Sequence, residues 1–288
     1  MRLIAPAKIN LLLAVGGVRP DGYHDVTTVL HALELADEVT IEPSDALELE
    51  CDRDLGVAPE SNLAYRAAAA LGAVVGRVPR VRIRLAKIIP HGAGLGGGSS
   101  DAAAVLAGLA AEWGLVRTDP RVIEVAASLG ADVAFFLSET PCALMTERGD
   151  RLARSFAGFP GFAVVLVKPP EAVSTAAAYA AFDRAPVPAT AADAMAAALD
   201  SLDEAAMLGA LANNLERAAS DVVGAVGEAL EWVGSLPGVH RAIVAGSGSA
   251  CVALCEDDRV ASGIAVAAKD RGLWSAATRL GRTGVRIR

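Results

Sequence analysis

Apolar and charged positions alternate along Val81-Arg82-Ile83-Arg84-Leu85, and a period of two predicts a half-buried strand over 81–87. That strand feeds the run P-H-G-A-G-L-G-G-G-S-S-D-A-A-A, from Pro90 to Ala104, around which the chain is organised. A helix is predicted next, over 102–113. Earlier, 2–15 is an apolar, strand-like segment interrupted by one lysine and one asparagine. Residues 26–50 read as strands broken near Pro43-Ser44-Asp45, and 62–75 as an alanine-rich helix capped from Glu60-Ser61-Asn62. A helix over 119–129 has Pro120 at its first position and Gly130 at its end.

Beyond Arg148-Gly149-Asp150, which reads as a turn, the pattern changes. A strand is predicted before that turn, over 142–147, and after it strands over 162–167, 241–245, 251–255 and 273–280 and helices over 173–182, 220–235 and 257–271. Residues 185–200 read as a Pro/Ala-rich loop and then a helix. From Phe162 onward the order approaches a ferredoxin-like split βαβ layout with insertions. The expected division is therefore an N-terminal domain over 1–158 and a C-terminal one over 159–288, with the boundary near Gly158 to Gly161.

Composition narrows the class. The chain is 53% hydrophobic, but no run of about 18 uncharged apolar residues predicts a spanning helix. Pro6 and Lys8 interrupt the first ten residues, a poor signal-peptide pattern, so a cytoplasmic protein is expected. A net charge of −8 without a basic block argues against nucleic acid as a partner. The four cysteines form no C-x-x-C pair and no His/Cys cluster, so no zinc site is expected.

The glycine-rich run carries the first candidate chemistry. Five glycines in the seven residues 92–98 exceed what a turn needs. Glycine lets backbone approach a ligand closely, and unpaired N–H groups at a helix start favour an anion such as phosphate. A plain turn with a capping serine is the bland alternative. The P-loop pattern fails because Ser99 follows Gly98 where a lysine is required. G-x-G-x-x-G matches at Gly92, Gly94 and Gly97 but lacks the acidic residue that a dinucleotide site needs on a following strand.

Four further features join it. Lys8 and Asn10 are two apart and share one face of a strand, either as an edge charge or as donors inside a site. Tyr23 and His24 follow the Pro20-Asp21-Gly22 turn, where they are surface residues or a stacking and hydrogen-bonding pair for a flat ligand. Asp132 precedes the apolar run V-A-F-F-L, as a cap or as a base made stronger by apolar neighbours. A second Gly/Ser loop, A-G-S-G-S, spans 245–249. Together they fit phosphoryl transfer: loop donors hold polyphosphate, a carboxylate takes a hydroxyl proton, a cation steadies both, and Mg²⁺ shields the phosphates.

P-A-K-I-N-L, P-H-G-A-G-L-G-G-G-S-S and A-G-S-G-S-A resemble the three motifs of the GHMP small-molecule kinases. G-Y-H, L-G-A-D-V, V-S-T and N-N-L-E at 213–216 narrow the match to members acting on a cytidine diphosphate-linked methylerythritol. The resemblance implies an α+β, two-domain GHMP kinase fold, ribosomal protein S5 domain 2-like at the N-terminus and ferredoxin-like at the C-terminus. It implies ATP and Mg²⁺ as cofactors and a monomer or weak homodimer. Asp132 would be the base and Lys8 the cation beside it. Asn10 would help hold the methylerythritol end, and Thr175 would lie near the substrate. Tyr23, His24 and Tyr179 would enclose the cytosine, and Gly246, Ser247 and Gly248 would meet the substrate phosphates. Asn62 and Lys87 would lie toward the adenosine, with Pro90, Gly92, Gly94, Leu95, Gly96, Gly97, Gly98, Ser99 and Ser100 around ATP. Ala134 and Val244-Ala245 depart from the usual family pattern beside these residues. Another GHMP kinase substrate, a non-catalytic binding protein on the same scaffold and a dinucleotide oxidoreductase are the competing readings.

Overall fold

The computed structural model describes residues 1–288. Its first half is built on two long strands, β1 (Arg2–Val18) and β2 (His24–Pro43), paired antiparallel. β3 (Glu48–Cys51), α1 (Leu63–Val75) and β4 (Val81–Ala86) follow. Then come α2 (Gly97–Glu112), α3 (Pro120–Leu129) and α4 (Ala131–Leu137). β5 (Cys142–Thr146) and β6 (Arg151–Phe156) complete this part. The second half runs β7 (Ala163–Lys168), α5 (Thr175–Arg184), α6 (Asp193–Ser201), α7 (Glu204–Ala210), β8 (Ala212–Asn213), α8 (Glu216–Val222) and α9 (Gly224–Gly234). It closes with β9 (Val239–Val244), β10 (Cys251–Cys255), α10 (Asp258–Asp270), β11 (Trp274–Arg279) and β12 (Arg286–Ile287).

Two sheets result. The eight-stranded sheet has the path β12-β1-β2-β4-β3, with β5 and β6 continuing from β2 and β8 lying beside β1. The four-stranded sheet has the order β11-β7-β10-β9, which is the ferredoxin-like arrangement expected from Phe162 onward. Two short strands from beyond residue 158, β8 and β12, both hydrogen-bond to β1.

Three apolar layers hold the sheets and helices together. Leu3, Leu30, Ile83, Leu106 and Phe135 pack the large sheet against the helices of the first half. Ile9, Leu11, Leu166, Met207 and Val252 pack the two sheets toward each other. Val165, Val226 and Ile264 cover the other face of the small sheet. Each such side chain contributes about 1.5–3 kcal/mol by burial.

Several sequence expectations need correction. α2 begins at Gly97, five residues before the predicted start at Ala102, because packing overrides the poor helix propensity of Gly97 and Gly98. The span 220–235 is two helices, α8 and α9, broken where Val223 takes an extended φ of −134°. β6 was not expected, since five of its six residues are exposed and no apolar period marks it. Lys8 and Asn10 are not exposed edge charges, because both side chains are buried, at 4% and 3% exposure. No helix is long and apolar enough to cross a membrane.

Candidate active site

The glycine run follows β4 and becomes the first turn of α2. Gly96 caps that helix in the left-handed region at φ 71°. Gly94 must be glycine for a second reason: a Cβ there would meet the Ala245 carbonyl oxygen at 2.0 Å. The two Gly/Ser loops therefore touch backbone to backbone. The Ala250 N–H donates to the Ala93 carbonyl at 3.1 Å, and the Lys8 N–H donates to the Leu95 carbonyl at 3.0 Å. β1, the first loop and the second loop are thus fixed against one another.

On one side of the glycine run lies a cavity of about 290 Å³. Every residue expected around ATP lines it except Ser100, which is fully buried with its hydroxyl unpaired. The Asn62 side chain also caps α1, accepting from the Ala64 N–H at 2.9 Å. Lys87 lines this cavity, but its ammonium is held between the Asp37 and Asp101 carboxylates. Neither aspartate was singled out from the sequence.

On the other side lies a cavity of about 300 Å³. Gly94, Gly96 and Ser99 line both cavities, so the loop is their shared wall. Lys8 Nζ donates to Asn10 Oδ1 at 3.0 Å and stands 3.4 Å from Asp132 Oδ2. Asn10 Nδ2 donates to Thr28 Oγ1 at 2.8 Å, and that hydroxyl donates to the Leu12 carbonyl at 2.6 Å. This chain of bonds fixes the Lys8 ammonium from below. Asp132 is in the first turn of α4, which directs it away from the buried Val133, Phe135 and Phe136. Its side chain is 32% exposed and faces an ammonium, so the apolar surroundings expected for it are not the ones it has. Nor does it act as the side-chain cap of α4.

Thr175, Tyr179, Gly246 and Ser247 line the same cavity, and the Thr175 and Ser247 hydroxyls are 3.0 Å apart. Burial pushes the Tyr179 phenol up to about 12, with the Asp132 charge adding to the effect. Tyr23, His24 and Gly248 do not line it. The His24 ring lies 4.9 Å from the Tyr179 ring, and its Nε2 is 2.8 Å from Asp183 Oδ1. Tyr23 is 60% exposed with the Arg148 guanidinium 5.2 Å above its ring. Arg148 does line the cavity, and sequence reasoning took it only as part of a turn.

A cavity walled by the glycine run and a second cavity with a lysine–aspartate pair, separated by that run, suit transfer of a phosphoryl group between two bound molecules. Residues 62–140 match the GHMP kinases N terminal domain family. A solved homoserine kinase from Cytophaga hutchinsonii shares the fold at 18% identity, with a TM-score of 0.73 over 100% of this chain and 97% of its own. That match and that likeness give the fold of the GHMP kinases, phosphotransferases that act on small molecules. A 4-diphosphocytidyl-2-C-methyl-D-erythritol kinase of Streptomyces coelicolor is 41% identical over 271 residues, 90% of this chain and 89% of its own. One from a Geobacter species is 39% identical over 97% of this chain and 98% of its own. A crystal structure of 4-(cytidine 5'-diphospho)-2C-methyl-D-erythritol kinase superposes with a TM-score of 0.80 at 36% identity, covering 98% and 99% of the two chains. This chain belongs to the 4-diphosphocytidyl-2-C-methyl-D-erythritol kinase family.

Proposed function

We propose that the chain transfers the γ-phosphoryl group of ATP to the 2-hydroxyl of 4-diphosphocytidyl-2-C-methyl-D-erythritol, a step of the non-mevalonate route to isoprenoid precursors. The observation that carries the reading is the glycine run as common wall between two cavities, with Lys8 and Asp132 together in one of them. ATP lies along the run, its phosphates on the N–H groups at the start of α2. The acceptor lies in the second cavity. Asp132 takes the hydroxyl proton as the oxygen attacks the γ-phosphorus, and ADP leaves. Lys8 holds the hydroxyl and the carboxylate in line and offsets the charge that builds on the transferring group. The Ser99 hydroxyl lines both cavities and would hold Mg²⁺, which binds through one or two protein oxygens plus phosphates. That ion would neutralise phosphate charge during transfer. Tyr23, His24 and Tyr179 hold the cytosine, and the 245–249 loop meets the diphosphate. The two domains divide near 158–159, with the active site between them.

The test is ADP release with ATP and Mg²⁺ against the cytidyl substrate, mevalonate, homoserine and galactose. Turnover with the cytidyl compound alone is expected. Asp132→Asn should lower kcat by about 10²–10⁴-fold while leaving ATP affinity nearly unchanged. Equal turnover in that variant would remove Asp132 as the base.

A further inference from the structure

The N-N-L-E run at 213–216 has a position that the proposed roles leave unexplained. It passes between β1 and the end of β9, and its side chains fasten to both. Asn214 Oδ1 accepts from the Val15 N–H at 2.9 Å, and its Nδ2 donates to the Val15 carbonyl at 2.9 Å and the Val187 carbonyl at 3.0 Å. Asn213 turns the other way. Its Nδ2 donates to the Val244 and Gly246 carbonyls, each at 2.8 Å, and its Oδ1 accepts from the Leu215 N–H at 2.9 Å. Glu216 Oε2 accepts from the Val244 N–H at 3.0 Å. Both N–H bonds and the oxygen of the Asn213 amide are used, so only one orientation of that amide satisfies the set.

A trans peptide unit is planar, and its carbonyl and N–H point in opposite directions. The Gly246 carbonyl is drawn to Asn213, so the Ser247 N–H faces away from Asn213. Gly246 and Ser247 line the cavity of Lys8 and Asp132, and Asn213 does not. A Cβ on Gly246 would stand 3.5 Å from Lys8 Nζ and 3.6 Å from Asn10 Oδ1, so this peptide borders the lysine directly. Gly246 takes φ 56°, a left-handed conformation that glycine adopts without a steric cost. A backbone N–H beside an ammonium at a left-handed turn suits an anion.

We infer that Asn213 is a positioning residue that aims the Gly246–Ser247 peptide, so that the Ser247 N–H donates to the diphosphate of the cytidyl substrate. This rests on the function proposed above. Asn213 touches no ligand itself. It decides which side of one peptide unit the ligand meets, whereas the contacts to Ala93 and Gly94 that face the nucleotide are made by Ala250 and Ala245.

The experiment is calorimetric binding of CDP, cytidine and ATP to the full chain and to Asn213→Asp, with turnover of the cytidyl substrate measured alongside. The aspartate sets an anionic oxygen against two carbonyl oxygens. The preference for CDP over cytidine is expected to shrink by about tenfold, the size of one hydrogen bond to a charged group, while ATP binding stays within about twofold. An unchanged preference overturns the inference, and so does equal weakening of all three ligands, the mark of general disorder. Should Asn213→Asp not fold, Asn213→Ser keeps one donor and reads the same ratio. A wild-type chain that turns over no cytidyl substrate sinks the proposed function. One that turns it over without preferring CDP to cytidine sinks only the inference.

Discussion

Lys8 and Lys87 are both nearly buried, at 4% and 5% exposure, and both border the glycine run, yet their surroundings differ in kind. Lys87 lies between two carboxylates that are themselves buried, Asp37 and Asp101. Burial pulls its pKa down, but Asp101 and Asp37 outweigh that, and the net direction is up. Asp37 also accepts from the Ile88 and Ile89 N–H groups, so this cluster fixes the path from β4 into the glycine run. Lys8 has a neutral amide below it and one partly exposed carboxylate across a cavity. A buried cation whose charge is matched inside the protein holds the fold, whereas one whose only anion stands in an open cleft remains available to a ligand.

Exchanging each lysine for an uncharged side chain of similar length separates the two roles. Lys8→Met is expected to lower kcat by about 10²–10³-fold, with unfolding stability within about 1 kcal/mol of wild type. Lys87→Met leaves the buried Asp37 and Asp101 carboxyl groups without their cation and is expected to cost about 3–5 kcal/mol in urea unfolding. The contrast breaks if Lys8→Met unfolds at a much lower urea concentration, or if Lys87→Met is as stable as wild type.

The same contrast marks what the sequence could disclose. Lys8 and Asn10 are two residues apart on one strand, so their shared face follows from the period of β structure alone. The partners of Lys87 are 50 and 14 residues away in the chain, and no local pattern joins them. The glycine run was legible as an anion site because its composition is extreme. The start of α2 was not, because the same glycines that suit phosphate disguise a helix. Gly94 is required by the approach of Ala245, a contact between loops far apart in sequence that only the folded chain supplies. Asp132 was found by its place before an apolar run, but its exposure depends on how α4 is set against α2 and α3. Arg148 sits in a turn whose sequence accounts for the turn and says nothing of the cavity it borders.

A smaller effect sharpens the reading of the Lys87 cluster as buried. Burial pushes the Asp101 carboxyl up to about 7, with Lys87 opposing and Asp37 adding to the rise. The native chain then keeps a proton that the unfolded chain, near 3.8, has lost. That contribution to stability is complete below the unfolded value and is lost as pH rises through the folded one. His31 works in the opposite sense. Burial lowers it from 6.5 to about 4, against the opposing bond to the Ala32 carbonyl. Its Nε2 accepts from the Phe159 N–H at 3.1 Å, which a neutral ring allows and a protonated one does not. Its contribution is present above 6.5 and is lost as pH falls toward 4. Between about pH 4 and 6.5 the two slopes oppose, so wild-type stability is expected to change little there. Asp101→Asn removes the falling component whatever it does to absolute stability, and a rise with pH of up to roughly 1.4 kcal/mol per unit should emerge. Urea unfolding at about pH 4.5, 5.5 and 6.5 measures it. A variant profile as flat as the wild type's would mean that Asp101 is ionised in the native protein. The Lys87 cluster would then carry a net negative charge beneath a loop built for phosphate.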